Sequence, residues 1–125
     1  MGIVKALFDT NILIDYLNGV DNARDEIRRF EPPLISPVSW MEVMVGTDER
    51  EEKAVRRFLA RFSTIPIDSQ VAELSVQIRK QYRMRLPDAI IWASAKSANA
   101  LLISRNTKDF PESEPDIRVP YQLRP

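Results

Sequence analysis

The chain has 125 residues, 18 basic and 18 acidic side chains, a hydrophobic content of 44%, and neither histidine nor cysteine. Those absences exclude disulfides, thiolate nucleophiles, the usual zinc sites and histidine general bases as intrachain devices. A formal net charge of zero excludes a global attraction to nucleic acid, although a local basic face beside an acidic site stays open.

The length suits one domain, expected over residues 1–125. No stretch approaches the ~20 apolar residues needed to cross a bilayer, and none has the layout of a signal peptide. A cytoplasmic setting is expected, which a cysteine-free chain suits. Hydrolytic chemistry in such a chain must use carboxylates, hydroxyls, lysines or a bound hard cation.

The stretch "KALFDTNILIDYL" begins at Lys5. An apolar run over 3–8 predicts a strand, and Ile12, Leu13, Tyr16 and Leu17 follow at helical spacing. Either Asp9 or Thr10 caps this helix, and Asn18-Gly19 ends it. Residues 21–30 predict a charged helix with Ala23, Ile27 and Phe30 on one face. The prolines of "EPPLISPVS" bracket a short strand at Leu34–Ile35. Ser39 is expected to open the next helix, because Ser39-x-x-Glu42 matches a capping box that puts Glu42 in the first turn. Trp40, Met41 and Val43–Val45 supply its apolar surface.

Past Gly46, the spacing of Val55, Phe58, Leu59 and Phe62 predicts a helix over about 48–62. "STIPID" supplies a short extended piece and a cap for a helix over 69–82, marked by Val71, Leu74, Ile78 and Tyr82. Pro87 and Asp88 fall in the first turn of a helix running to about Asn99, whose Ala89, Ala93 and Ala95 permit close approach to a sheet. "ALLIS", at 100–104, has the nearly all-apolar character of a strand covered on both faces, and a last extended piece is expected near Ile117–Val119. Short strands alternating with helices predict a three-layer α/β/α sandwich around a small, mostly parallel sheet.

Open α/β sheets place their sites beyond the carboxyl ends of the strands. Asp9 follows the first strand, Asn106 and Asp109 follow "ALLIS", Asp88 opens the helix that feeds it, and Glu42 lies early in the helix after the proline-rich segment. Four carboxylates brought together repel unless they share protons or a cation. Without histidine the simplest resolution is Mg²⁺ or Mn²⁺ on oxygen ligands, a site able to orient and deprotonate a water for phosphodiester hydrolysis. Each acid also has a structural alternative: Asp9 as a helix cap, Glu42 as a capping-box residue, Asp88 as a helix-dipole acid and Asp109 as a turn acid. Trp40 and Trp92 are expected first of all to pack.

At these same acids the sequence resembles the PIN-domain ribonucleases, most closely the VapC toxins of bacterial and archaeal toxin–antitoxin pairs. The likeness is carried, in order, by "LFDTNILIDYL" around Asp9, "SPVSWMEVMVG" around Glu42, and "LPDAIIWASAKSANALLISRNTKDF" around Asp88 and Asp109, and it spans Val4 to Val119. It implies the three-layer sandwich with a parallel sheet of four or five strands. It further implies that Asp9, Glu42, Asp88 and Asp109 bind Mg²⁺ or Mn²⁺ and support cleavage of RNA by an endoribonuclease that acts as a growth-inhibiting toxin. Thr10 and Asn11 would shape the turn that holds Asp9. Ser104 would hydrogen-bond Asp9 or position water, and Asn106, standing where some members carry a further acid, would support a ligand.

The partners implied are RNA, a cognate antitoxin laid in a groove near the site, and a second copy in a homodimer. Apolar side chains of "NILIDYL", "SWMEVMVG" and "VRRFLARF" are candidate surface for these contacts, or core. Arg105 and Lys108 flank the site and are the expected phosphate contacts, ahead of Arg79, Lys80, Arg83 and Arg85. A non-catalytic PIN-like module that binds nucleic acid or protein is the alternative, for which neutral Asn106 gives an opening. A phosphatase with an Asp nucleophile after the first strand would usually carry a second Asp two residues on, where this chain has Asn11.

Overall fold

In the computed structural model, which describes residues 4–123, five short strands make the middle layer. β1 (Ala6–Phe8) lies at the centre, β2 (Leu34–Ile35) and β4 (Leu101–Ile103) flank it, and β3 (Ser63–Thr64) and β5 (Ile117–Arg118) form the edges. All pairings are parallel, and Leu7 stands opposite Leu34 on one side and Leu102 on the other. The strand expected over 3–8 is observed from Ala6, and Ile3 lies outside the described residues. From β1 the chain steps outward to β3, then resumes on the opposite side of β1 with β4. The order therefore reverses between β1 and β4, which opens a crevice beyond their carboxyl ends.

The two-residue period of a strand sorts its side chains to opposite faces. Leu7, Leu34, Leu102 and Ile117 share a buried cluster with Val71 and Ile78 of α5 (Ser69–Tyr82) and with Ile91 and Trp92 of α6 (Leu86–Ser97). Ala6, Phe8, Ile35 and Ile103 belong to a second cluster. It includes Ile12 and Leu13 of α1 (Thr10–Leu17), Ile27 of α2 (Asp21–Arg28), and Phe58 and Leu59 of α4 (Glu52–Leu59). The result is the expected three-layer sandwich. Burying a side chain of Phe8's size is worth about 1.5–3 kcal/mol, which explains why "ALF" and "LLI" have no polar position to spare. Trp92 is fully buried, and its indole N–H donates to Asp116 at 2.9 Å. Trp40 is half-buried, with the Arg56 guanidinium 5.4 Å from its ring centre.

α3 (Pro37–Val45) lies against both clusters, through Val38 on one and Val43 on the other. Its start corrects the capping-box expectation. Ser36 is the N-cap, extended at φ −85° and ψ 149°, with Oγ accepting the Val38 N–H at 3.1 Å, and Pro37 takes the first helical position. Proline is suited there, since its fixed φ is helical and the missing N–H would have had no partner. Ser39 is therefore inside the helix and buried, while Glu42 lies past the first turn and plays no capping part. The helix expected over about 48–62 is shorter, Glu52–Leu59. Asp48 instead turns the chain ahead of it, accepting the Glu51 N–H at 3.1 Å.

This start predicts the ranking of two variants in metal-free urea unfolding. Ser36→Ala should lose about 1 kcal/mol as a cap, and Glu42→Gln should change stability by less than about 0.5 kcal/mol. The opposite ranking would restore the capping box.

Candidate active site

β1 runs into α1 without a spacer, which puts Asp9 at the crevice and at the N-cap of the helix, with φ −69° and ψ 157°. Its backbone N–H continues the sheet by donating to the Ile103 carbonyl at 2.9 Å. The carboxylate is 4% exposed and accepts three hydrogen bonds. The Thr10 N–H donates to Oδ1 at 2.8 Å, and Ser104 Oγ and Asn11 Nδ2 donate to Oδ2 at 2.7 and 3.1 Å. Burial pushes the Asp9 pKa up to about 6. The bonds from Ser104 and Thr10 act against that shift, and the charges of Asp88 and Glu42 add to it. Asp9 is thus both a helix cap and an acid that faces other acids.

Glu42 reaches the same region from α3. The Thr10 hydroxyl donates to Glu42 Oε1 at 2.6 Å and lies 2.9 Å from Ser39 Oγ. Ser39 and Glu42 are three residues apart, hence neighbours on one helix face, and together they hold the first side chain of α1. Asp88 stands in the first turn of α6. Burial, then the charge of Asp109, raise its pKa, Arg85 opposes this, and Glu42 adds to the rise. Asp109 is set by Asn106, whose Nδ2 donates to Asp109 Oδ2 at 2.9 Å and whose Oδ1 accepts the Asp109 N–H at 3.2 Å.

The four acids therefore form one electrostatic neighbourhood: Asp9 feels Asp88 and Glu42, and Asp88 feels Asp109 and Glu42. None of the four is in a salt bridge among the described residues. Among those residues no three acids are gathered closely enough to be a ready-made ligand cluster. The donor chemistry nonetheless fits a hard divalent cation: oxygen donors only, repelling one another, held by hydroxyl and amide groups from behind.

The expected phosphate contacts fare differently. The Arg105 guanidinium forks onto Asp15, at 2.6 Å from Nε and 3.0 Å from Nη2, and is directed at α1 rather than left free beside the acids. Lys108 is exposed and makes no salt bridge among the described residues. Beside the acids, α1, α3 and α4 line a groove of about 610 Å³ that reaches Glu42 and includes Ile14, Leu17, Phe58, Arg57 and Arg61.

A model of the PIN domain matches residues 6–113. The chain belongs to the PIN-domain family. Ribonuclease VapC10 of Mycobacterium tuberculosis is 33% identical to this PIN domain, over 94% of this chain and 93% of its own length. A chain in a toxin–antitoxin complex from Klebsiella pneumoniae superposes with a TM-score of 0.90 at 44% identity, covering 95% of this PIN domain and 100% of that chain. A chain of the DNA-bound VapBC from Salmonella typhimurium shares the fold, with a TM-score of 0.76 at 24% identity over 93% of this chain and 96% of that one. The family expected from the motif-bearing pieces is the family found.

Three side chains of this PIN domain's site region were not singled out from sequence as parts of it. Ser39 was assigned to a cap, although its i, i+3 relation to Glu42 was a usable signal. Asp15 was visible only as an acid inside an apolar helical stretch. Tyr121, which donates to Asp15 at 2.8 Å, gave no signal.

The raised pKa of Asp9 has a signed consequence in metal-free buffer. Between 3.8 and about 6 the native chain holds a proton that the unfolded chain has lost, so stability falls as pH rises through that window. The full cost above it is about 3 kcal/mol. In EDTA, the stability of Asp9→Asn relative to the parent should rise from about pH 4 to about pH 6 and then level off, measured by urea unfolding at each pH. A pH-independent difference would contradict the burial argument.

Proposed function

We propose that this chain is a metal-dependent endoribonuclease and the growth-inhibiting toxin of a toxin–antitoxin pair, acting as a single PIN domain over its 125 residues. The observation that carries this reading is the hydrogen-bonded frame at the crevice beyond β1 and β4: Thr10 joins the Asp9 cap to Glu42, and Ser104 and Asn106 join the loop after β4 to Asp9 and Asp109. A ribonuclease at 33% identity and a toxin–antitoxin complex at 44% identity support the substrate and the partner.

Asp9, Asp88, Asp109 and Glu42 would hold Mg²⁺ or Mn²⁺. When bound, such an ion supplies charge stabilisation at a phosphoryl oxygen and a water of lowered pKa. The chain's own groups prepare the site. Ser104, Asn11 and the Thr10 N–H fix both oxygens of Asp9, the Thr10 hydroxyl fixes one oxygen of Glu42, and Asn106 fixes Asp109. Catalytic groups held this way need little reorganisation when charge develops. Glu42 Oε2 is the candidate proton acceptor. It belongs to the exposed acid of the four, and its companion Oε1 is taken by Thr10. A water attacks phosphorus as the ester P–O bond breaks, its proton passes to Glu42 Oε2, and the departing ribose oxygen takes a proton from bulk water.

Lys108 is the candidate contact to the RNA backbone, which would position the strand without reading its sequence. The groove along α1, α3 and α4 is the candidate seat of the antitoxin, and the exposed Met41 and Val45 offer apolar surface for it or for a second copy in a homodimer. A cytoplasmic setting agrees with this reading. No helix among the described residues is long and apolar enough to cross a membrane.

The test is cleavage of a structured RNA pool by the purified protein with Mg²⁺ or Mn²⁺ and with EDTA, beside Asp9→Asn and Asp88→Asn. Cleavage should require metal, and each variant should lose about 100-fold or more, as expected when charge stabilisation worth several kcal/mol is removed. Cleavage in EDTA, or by well-folded Asp9→Asn, would contradict the assignment. Neither cleavage nor metal binding by the parent would favour a non-catalytic binding module.

A further inference from the structure

Asp15 is an acid in α1 that is buried and fully engaged. Arg105 Nε donates to Oδ2 at 2.6 Å, Arg105 Nη2 to Oδ1 at 3.0 Å, and the Tyr121 hydroxyl to Oδ2 at 2.8 Å. A pair with one partner buried and the other half-buried is a weak source of net stability, because desolvation offsets the attraction, but the planar fork of arginine demands one geometry. What that geometry orients is the loop after β4. Arg105 lies between Ser104, which donates to Asp9, and Asn106, which holds Asp109. The Arg105 N–H itself donates to Asn11 Oδ1 at 3.3 Å. The loop is thus tied along α1 at three points: Asp9, Asn11 and Asp15. The segment after β5 joins the clamp through Tyr121 and through Gln122, whose Nε2 lies 3.5 Å from the Arg105 carbonyl.

We propose that Asp15, Arg105 and Tyr121 are positioning residues: their cluster seats the loop over 104–109 on α1, and through Ser104 and Asn106 it sets Asp9 and Asp109 for cation binding. This rests on the reading of the four acids as a cation site. It replaces the phosphate contact expected of Arg105, since a guanidinium turned toward RNA would leave Asp15 buried and uncompensated. It also makes the site dependent on the chain beyond β5.

The test uses Asp15→Asn, Arg105→Gln, Tyr121→Phe and the double variant Asp15→Asn/Arg105→Gln, in which both charges of the pair are gone and no buried charge is left unpaired. Three quantities are measured: Mn²⁺ affinity by calorimetry, amide exchange of residues 104–110 in EDTA, and the salt dependence of binding to a fluorescein-labelled single-stranded RNA in EDTA. Each charge-removing single variant should weaken Mn²⁺ binding on the order of tenfold, with the double no worse than either. Tyr121→Phe should weaken it severalfold, the loop amides should exchange faster in all, and the salt slope should stay at the parent value. If Arg105→Gln lowers the slope by about 1 while Asp15→Asn matches the parent, Arg105 is a phosphate contact and the proposal is wrong. Unchanged Mn²⁺ affinity and unchanged exchange would reduce the cluster to a structural pair. If the parent binds no Mn²⁺, the cation-site reading fails, and loop exchange alone then decides the positioning role.

Discussion

A carboxylate at the end of the central strand sets the terms for the rest of this molecule. β1 must be apolar on both faces to lie in the middle of the sheet, and Asp9 is the first polar residue after it. The chain turns into α1 at that same residue, so the acid is buried between two layers rather than released into solvent. Burying an ionised carboxylate is tolerable only when hydrogen bonds or a cation support it. Ser104, Asn11 and the Thr10 N–H supply the first kind of support, and the proposed cation shared with Glu42, Asp88 and Asp109 would supply the second.

The topology explains why four acids from distant parts of the chain lie on one side of the sheet's crevice. β1 and β4 are adjacent although most of the sequence lies between them, and the reversal of strand order leaves their carboxyl ends uncovered. α3 and α6 then carry Glu42, in the second turn of α3, and Asp88, in the first turn of α6, on the side of that gap. Burial does most to raise the pKa values of Asp9 and Asp88, and the neighbouring acids add to the rise. On the proposed reading, stability given up in burying these acids serves the chemistry of the site, the usual relation between strain and function. The hydroxyls of Thr10 and Ser104 and the amides of Asn11 and Asn106 keep the carboxylates from relieving that repulsion by turning away.

Much of the fold could be foreseen from local patterns. Helices α1, α5 and α6 and strands β2 and β4 lie where apolar spacing and turn residues predicted them, because their burial repeats every few residues along the chain. The start of α3 was misplaced because "SPVS" offers two serines, and Glu42 lies at capping-box distance from the wrong one. Pro37, directly after Ser36, was the stronger signal, since proline favours the first helical position. Asp9 and Asp88 were legible as strand-end and helix-start residues, whereas Glu42 proved to lie past the first turn of α3. The duty of Arg105 was not: nearness in sequence to Asp109 says nothing about where a guanidinium points, and its partners Asp15 and Tyr121 lie 90 residues before it and beyond β5. Contacts of that range are made by the fold as a whole and leave no local trace.

The central claim is that these carboxylates repel one another and that a divalent cation relieves the repulsion. Thermal unfolding of the parent and of Asp9→Asn, with and without Mn²⁺, tests it most directly. Without metal the variant should melt at or above the parent; with Mn²⁺ the parent should rise saturably, as binding to the native state alone requires, and the variant should not follow. An equal rise in both proteins, or none in the parent, would contradict the account.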